Sequence, residues 1–227
     1  MSIGEPILLK ANHSSYIVTL TKHKLVAKYK PLLEKRGYKV QDLNFVHPEK
    51  SDISYDPLQY VRTASCIYSI VFKQLFEFGE RCPNGKLSIP VHVLCDDFAT
   101  GGRILNFPEL ISIFREKQIS VTLLLQSESQ LEAMYGSSAT TIINNCDTYI
   151  FMGTNDLKTA QSVSVKMNVP LEDILWMPIG EEIIFRRGQR PIMTQRYNIL
   201  ENELYRKVTK QYERTIAKNN NLEHQIA

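Results

Sequence analysis

Short continuous runs of apolar residues alternate along this chain with stretches where apolar positions recur every three or four residues. Residues 15–20 (SYIVTL) are the first run, rich in the β-branched and aromatic residues that suit a pleated surface. A basic amphipathic stretch follows, 22–36, placing Leu25, Tyr29, Leu32 and Leu33 at helical spacing before Gly37 supplies a stop. Residues 38–45 (YKVQDLNF) alternate as a half-buried strand, and Pro48 with 52–57 (DISYDP) carries loop chemistry. The opening therefore predicts β-α-β. A helical pattern then runs from Leu58 to about Glu80 and ends at the turn residues Pro83, Asn84 and Gly85.

In the middle, 91–94 and 121–125 are apolar runs of strand length separated by a helix-length segment, 107–117. Such runs suit central strands covered on both faces. A third run, 149–152 (YIFM), follows a short helical segment over 139–145, and a further helix spans about 156–167. Residues 181–185 and 191–197 flank RRGQR and read as a hairpin with Gly188 in its turn. A charged helix covers 201–218, with a frayed tail from Asn219 onward. Alternating strands and helices predict an α/β fold, doubly wound and mainly parallel, with an antiparallel addition at the end. Residues 1–200 are read as one domain, and 201–227 as its charged C-terminal helix and tail.

Composition adds little. At 227 residues and 43% hydrophobic, the chain suffices for one substantial core. A net charge of +3, from 27 basic and 24 acidic residues, is no argument for a polyanionic partner. Cys66, Cys82, Cys95 and Cys146 are too widely spaced for a metal knuckle and read as thiols in a reducing compartment. No apolar run approaches the ~18 residues of a membrane span.

In an open α/β sheet the ligand crevice lies beyond the carboxyl ends of the strands. There, the run 91–95 delivers Asp96 and Asp97, the layout of a Walker B element. In that layout the first acid organises a magnesium shell and the second orients or deprotonates an attacking water. Two acids after an apolar strand also suit a helix cap or loop entry. Gln126, directly after VTLLL, presents an amide that either senses a γ-phosphate and its water or caps the following turn. Arg115, on the linking helix, is either a solvated side chain or an arginine offered to a neighbouring subunit's nucleotide. Lys22, Lys24 and Lys28 in the first basic helix, with Arg186, Arg187 and Arg190 in the hairpin, are candidates for single-stranded DNA phosphates, or simply solvated faces.

Taken together, the stretch VHVLCDDFATGGRILNFPELISIFREKQISVTLLLQSESQLEAMYGSSATTIINNCDTYIFMGTNDLKTAQSVS resembles the core of the VirD4/TraG/TraD coupling proteins of type IV secretion and conjugation. The later MPIGEEIIFRRGQRPIMTQRYNIL is similar to that family's closing hairpin, and the opening strand-helix-strand to the part following its phosphate-loop helix. The resemblance implies a RecA-like P-loop NTPase-type fold, ATP and magnesium as cofactors, and a ring of subunits moving single-stranded DNA and relaxase. It implies a cytoplasmic protein attached through partners to a membrane-bound secretion complex. By position in the matching motifs, Asp96 is the magnesium-side acid, Asp97 the catalytic acid, Gln126 the sensor and Arg115 the arginine acting in trans.

The chain departs from that pattern where phosphate binding is concerned. It holds no GxxxxGK[ST], and Gly85-Lys86 is an ordinary turn. The family's VTDPKGE is replaced around Leu20-Thr21-Lys22-His23-Lys24, Asp97 stands where a glutamate is usual, and the all-α insertion is missing after the DPL segment. Losing three or four charge-assisted bonds of about 1.5–3 kcal/mol each removes roughly 6 kcal/mol or more. That is roughly four decades in affinity. The expectation is a truncated or degenerate motor domain without autonomous ATP hydrolysis or tight ATP binding, acting as an interaction or remnant module in a homo- or hetero-oligomer of coupling-protein subunits. Two alternatives stay open: one part of a split ATPase whose phosphate loop comes from another chain, and a non-enzymatic single-stranded DNA-binding module.

Overall fold

A computed structural model describes residues 4–20, 24–44, 47–53, 65–100 and 102–226. Strand β2 (Val91–Cys95) organises the larger of two compact units, which comprises Ser15–Val18 and Pro57–Tyr197. Val93, Leu94 and Cys95 are all at most 1% exposed, so successive side chains are covered on both faces, as their continuous apolar run requires. On one side β2 pairs parallel with β3 (Ile119–Leu123), from Val91 opposite Ile119 to Cys95 opposite Leu123. On its other side lies β1 (Ser15–Thr19), giving the order β1-β2-β3. The segment between β2 and β3 forms a helix (Phe107–Ile113) that tightens into a 3-10 turn (Phe114–Lys117).

Five rings pack on one face of this sheet. Phe107 is fully buried, with ring centres 5.2 Å from Phe98, 5.3 Å from Phe72 and 6.2 Å from Phe114. Tyr135 closes the cluster at 6.3 Å, and its hydroxyl accepts the Ile104 N–H at 2.9 Å. Phe72 comes from the helix Ser65–Arg81, the described part of the helical pattern read from Leu58; 58–64 lie outside the described residues.

The same unit holds a second sheet, β4-β5-β6, formed by Thr148–Phe151, Glu181–Arg186 and Ile192–Gln195. Both pairings are antiparallel. The apolar run at 149–152 thus joins the hairpin's sheet and not the parallel one. Its inward row, Phe151 and Ile183, packs on Ala160, Val163 and Ile174 from the helices Leu157–Met167 and Leu171–Leu175. This core is separate from the ring cluster of the parallel sheet.

The smaller unit comprises Met1–Ser14, Thr19–Asp56 and Asn198–Ala227. Its helices Gly4–Leu9, Lys24–Lys35 and Glu203–Ile226 enclose a buried polar group. Tyr29, 1% exposed, donates to Glu5 Oε2 at 3.0 Å; burial, then the Glu5 carboxylate, drives its phenol pKa upward. Arg36 caps the first helix through the carbonyls of Leu9 (2.8 Å) and Ala11 (3.1 Å).

Two expectations fail here. Residues 38–44, assigned to a strand by their alternation, form none, and Phe45 lies outside the described residues. Their backbone is met locally instead: Asp42 N–H by Asp52 Oδ2 at 3.0 Å and Asn44 N–H by Ser51 Oγ at 2.8 Å. The last helix continues to Ile226, past the tail expected from Asn219, since no Gly or Pro interrupts 203–226.

Candidate functional site

The parallel sheet's carboxyl edge is held shut by two main-chain bonds. Leu124 N–H donates to the Cys95 carbonyl and Phe98 N–H to the Leu124 carbonyl, both at 3.0 Å. Asp96 and Asp97 occupy the turn between these anchors, half-buried. Asp97 has a φ of +48°, in the left-handed region that Asp tolerates better than most residues. Phe98 is 4% exposed and stacks parallel to Tyr135 at 6.2 Å, so the ring after the acids fixes the turn to the core.

Gln126 follows the end of β3 on the same edge and is exposed. Its Oε1 accepts from Gln130 Nε2 at 3.3 Å, and its own N–H donates to Gln130 Oε1 at 3.4 Å. The cap of the next helix (Glu128–Tyr135) is Ser127, whose side chain accepts the Gln130 N–H. The amide of Gln126 is therefore held outward by a one-turn partner. Capping falls to its neighbour.

Arg115 lies elsewhere. It sits on the turn before β3, and parallel pairing sets the start of β3 beside the start of β2. The length of a five-residue strand, about 16 Å at ~3.3 Å per residue, separates it from the acids. It is exposed. The fold thus brings Asp96, Asp97 and Gln126 to one edge and leaves Arg115 at the opposite one.

A polar seam backs the Gln126 loop. Thr159, 3% exposed, accepts the Glu128 N–H at 3.0 Å and donates its hydroxyl to Asp156. Ser129 also donates to Asp156, at 2.7 Å. The Thr159 and Ser129 hydroxyls hold the Asp156 carboxyl below its ordinary range. Lys158 pairs with Glu132, and Lys166 with Glu128 at 3.1 Å, along the same two helices. The sequence reading misses this seam. Its legible signals are Ser127-x-x-Gln130, a capping-box pattern, and Asp156 three residues before Thr159.

The basic candidates are unequal. Lys22 lies outside the described residues, and Lys24 is exposed. Lys28 is not presented to a phosphate: its side chain is 9% exposed, 3.5 Å from Glu5 Oε2 and 4.0 Å over the Tyr205 ring. Arg187 is engaged with the Asn144 carbonyl (2.8 Å) and Asp147 (3.2 Å), while Arg186 and Arg190 are exposed at the hairpin.

Among the described residues, no three His, Cys, Asp or Glu side chains converge as a metal cage. Magnesium in nucleotide sites needs only one or two carboxylates beside water and phosphates, so Asp96 and Asp97 fit such an ion when phosphates accompany it. No helix of the described residues is long and apolar enough to cross a membrane.

Residues 90–167 match the family model described as the TraM recognition site of TraD and TraG. No curated protein matches the chain. Among solved structures it is similar to the plasmid coupling protein TrwB in complex with ADP and Mg2+: TM-score 0.50, 17% identity, 57% of this chain and 35% of that one. It is likewise similar to a trigonal form of the bacterial conjugative coupling protein TrwBdeltaN70 in complex with sulphate: TM-score 0.50, 16% identity, 58% of this chain and 35% of that one. The likeness is one of fold, and the chain spans about a third of those structures' length.

Proposed function

We propose that the chain is a portion of a conjugative coupling protein of the TraG/TraD family, that it supplies the acid and sensor edge of a DNA-transfer motor, and that it turns over ATP poorly by itself. The observation that carries this reading is the position of Asp96, Asp97 and Gln126 on one clamped sheet edge, with Arg115 exposed at the other. In this reading Asp96 would hold magnesium through its water shell, Asp97 would accept a proton from the attacking water, and Gln126 would position that water. Magnesium bound with nucleotide neutralises phosphate charge. Arg115 cannot reach its own chain's acids across the sheet, so it serves the site of an adjoining subunit, where such an arginine stabilises developing charge. A phosphate loop, which these 227 residues do not contain, has to come from outside them.

The test has two arms. Titrating magnesium-ATP onto the chain alone should give a Kd weaker than about 1 mM, following the loss of three or four charge-assisted phosphate bonds. Micromolar binding would sink the proposal. Added to an intact coupling ATPase of this family, the chain should change ATP turnover, and the Arg115→Ala variant should lose most of that change. No co-assembly and no rate change would remove the subunit role.

The alternative of a DNA-binding module is weakened by the engagement of Lys28 and Arg187 within the protein.

A further inference from the structure

The helices Lys24–Lys35 and Glu203–Ile226 pack side by side in the smaller unit and leave an apolar groove between them. Ala27, Pro31 and Leu32 form one wall; Val208, Tyr212 and Ile216 form the other, at one-turn spacing. The groove exists because Ala27 is small and Pro31 brings a compact ring without an N–H, so the first helix fills little of the space beside the longer one. Its volume, about 210 Å³, is below the roughly 300 Å³ at which small-molecule sites begin. It suits one or two aliphatic anchors from another chain, and Ile216, 40% exposed, stands open at its rim.

Charge narrows the choice of occupant. Residues 24–36 and 203–217 hold nine Lys or Arg against three Glu; with Lys28 and Lys30 paired to Glu5 and Asp52, seven remain against three, whereas the whole chain holds 27 against 24. Exposed Lys207, in a loose 4.0 Å surface pair with Glu203, and exposed Arg214 lie one turn either side of the groove residue Gln211, and exposed Lys24 and Lys35 flank Ala27 and Pro31. Glu34 is the acid on that side of the first helix. A second copy would bring an equally basic face and be repelled. A nucleic acid would meet the basic rim but leave the apolar floor bare. We propose that this groove is a docking site for an amphipathic helix of a partner protein, with aliphatic residues at i, i+3, i+4 and i+7 seated between the two helices. Glutamate and aspartate on that helix's flanks meet Lys207, Arg214, Lys24 and Lys35. This is helix-in-groove recognition, with apolar anchors supplying affinity and rim charge supplying orientation and on-rate.

The experiment is fluorescence anisotropy with the full chain and a labelled synthetic helix of about 16 residues, roughly four turns, carrying Leu at those positions and Glu elsewhere. A scrambled peptide of identical composition and a single-stranded oligonucleotide serve as competitors. The patterned peptide should bind at least about tenfold more tightly than the scrambled one. Ile216→Asp, at an exposed position, should weaken it by a similar factor while far-UV circular dichroism stays unchanged. Lys207→Glu with Arg214→Glu should lower affinity and flatten its salt dependence. The proposal is overturned by equal binding of both peptides, by an Ile216→Asp variant that binds as well as the parent, or by displacement of the peptide by the oligonucleotide alone. It is also overturned if sedimentation reveals a dimer that Ile216→Asp disperses, because the groove would then be occupied by a second copy.

Discussion

Replacing Phe107 with alanine tests whether the acid turn is anchored as described. Phe107 is fully buried and lies within 5.3 Å of two rings, Phe98 and Phe72, with Phe114 and Tyr135 just beyond 6 Å. Burial of a phenylalanine side chain contributes about 1.5–3 kcal/mol. Each close aromatic pair adds about 0.5–1.5 kcal/mol. With two close pairs the loss comes to about 4 kcal/mol, within the ~3–5 kcal/mol typical of such truncations. For a chain of this size that lowers Tm by about 8–16 °C. Phe107→Leu, which keeps most of the volume but loses both close ring pairs, should cost less, about 1–3 kcal/mol. Urea unfolding followed by circular dichroism is the assay, because the single tryptophan, Trp176, is 76% exposed and reports poorly on the core. Phe98 transmits the effect to the site: losing its partner ring should speed amide exchange at 96–98 more than at Val93. A cost below about 1 kcal/mol for the alanine variant, or unchanged exchange at the turn, would refute the anchoring argument.

Two further outcomes follow from buried polar groups. Burial and a neighbouring glutamate raise the pKa of both Tyr29 and Tyr149, so the unfolded phenols, near pKa ~10, ionise first. Stability should hold below about pH 10 and decline as pH rises beyond it, with Tyr29→Phe reducing the decline; urea midpoints constant to about pH 11 would contradict this. Thr159→Val removes the acceptor of the Glu128 N–H and a donor to Asp156. Amide exchange at 126–131 should then accelerate about tenfold or more while β2 stays protected, an opening local to the seam. Unchanged exchange there would mean the seam does not restrain the Gln126 loop.

Where each residue's burial could be read one position at a time, the chain's own pattern sufficed. Strand 91–95 is apolar apart from His92, the helix at 139–145 keeps its expected bounds, and the RRGQR turn joins two antiparallel strands. Asp96 and Gln126 were locatable because each directly follows such a run, and a parallel pair carries its ends to a common edge. Pairing itself was not legible. Residues 38–44 and 148–151 both look like strands, yet the first forms no strand among the described residues and the second joins β5 rather than β3. Nor did spacing reveal that Lys28 is buried against Glu5 and Tyr205, or that Arg115 stands a strand's length from Asp97.

The amino-acid order by itself determined which segments bury a face and which residues terminate them, because periodicity records how each position meets water or core. Which strand lies beside which, whether a cation is paired or free, and which edge each functional group occupies were decided only in three dimensions. Those are properties of two distant segments meeting, settled by hydrogen-bond partners and desolvation that no local pattern contains.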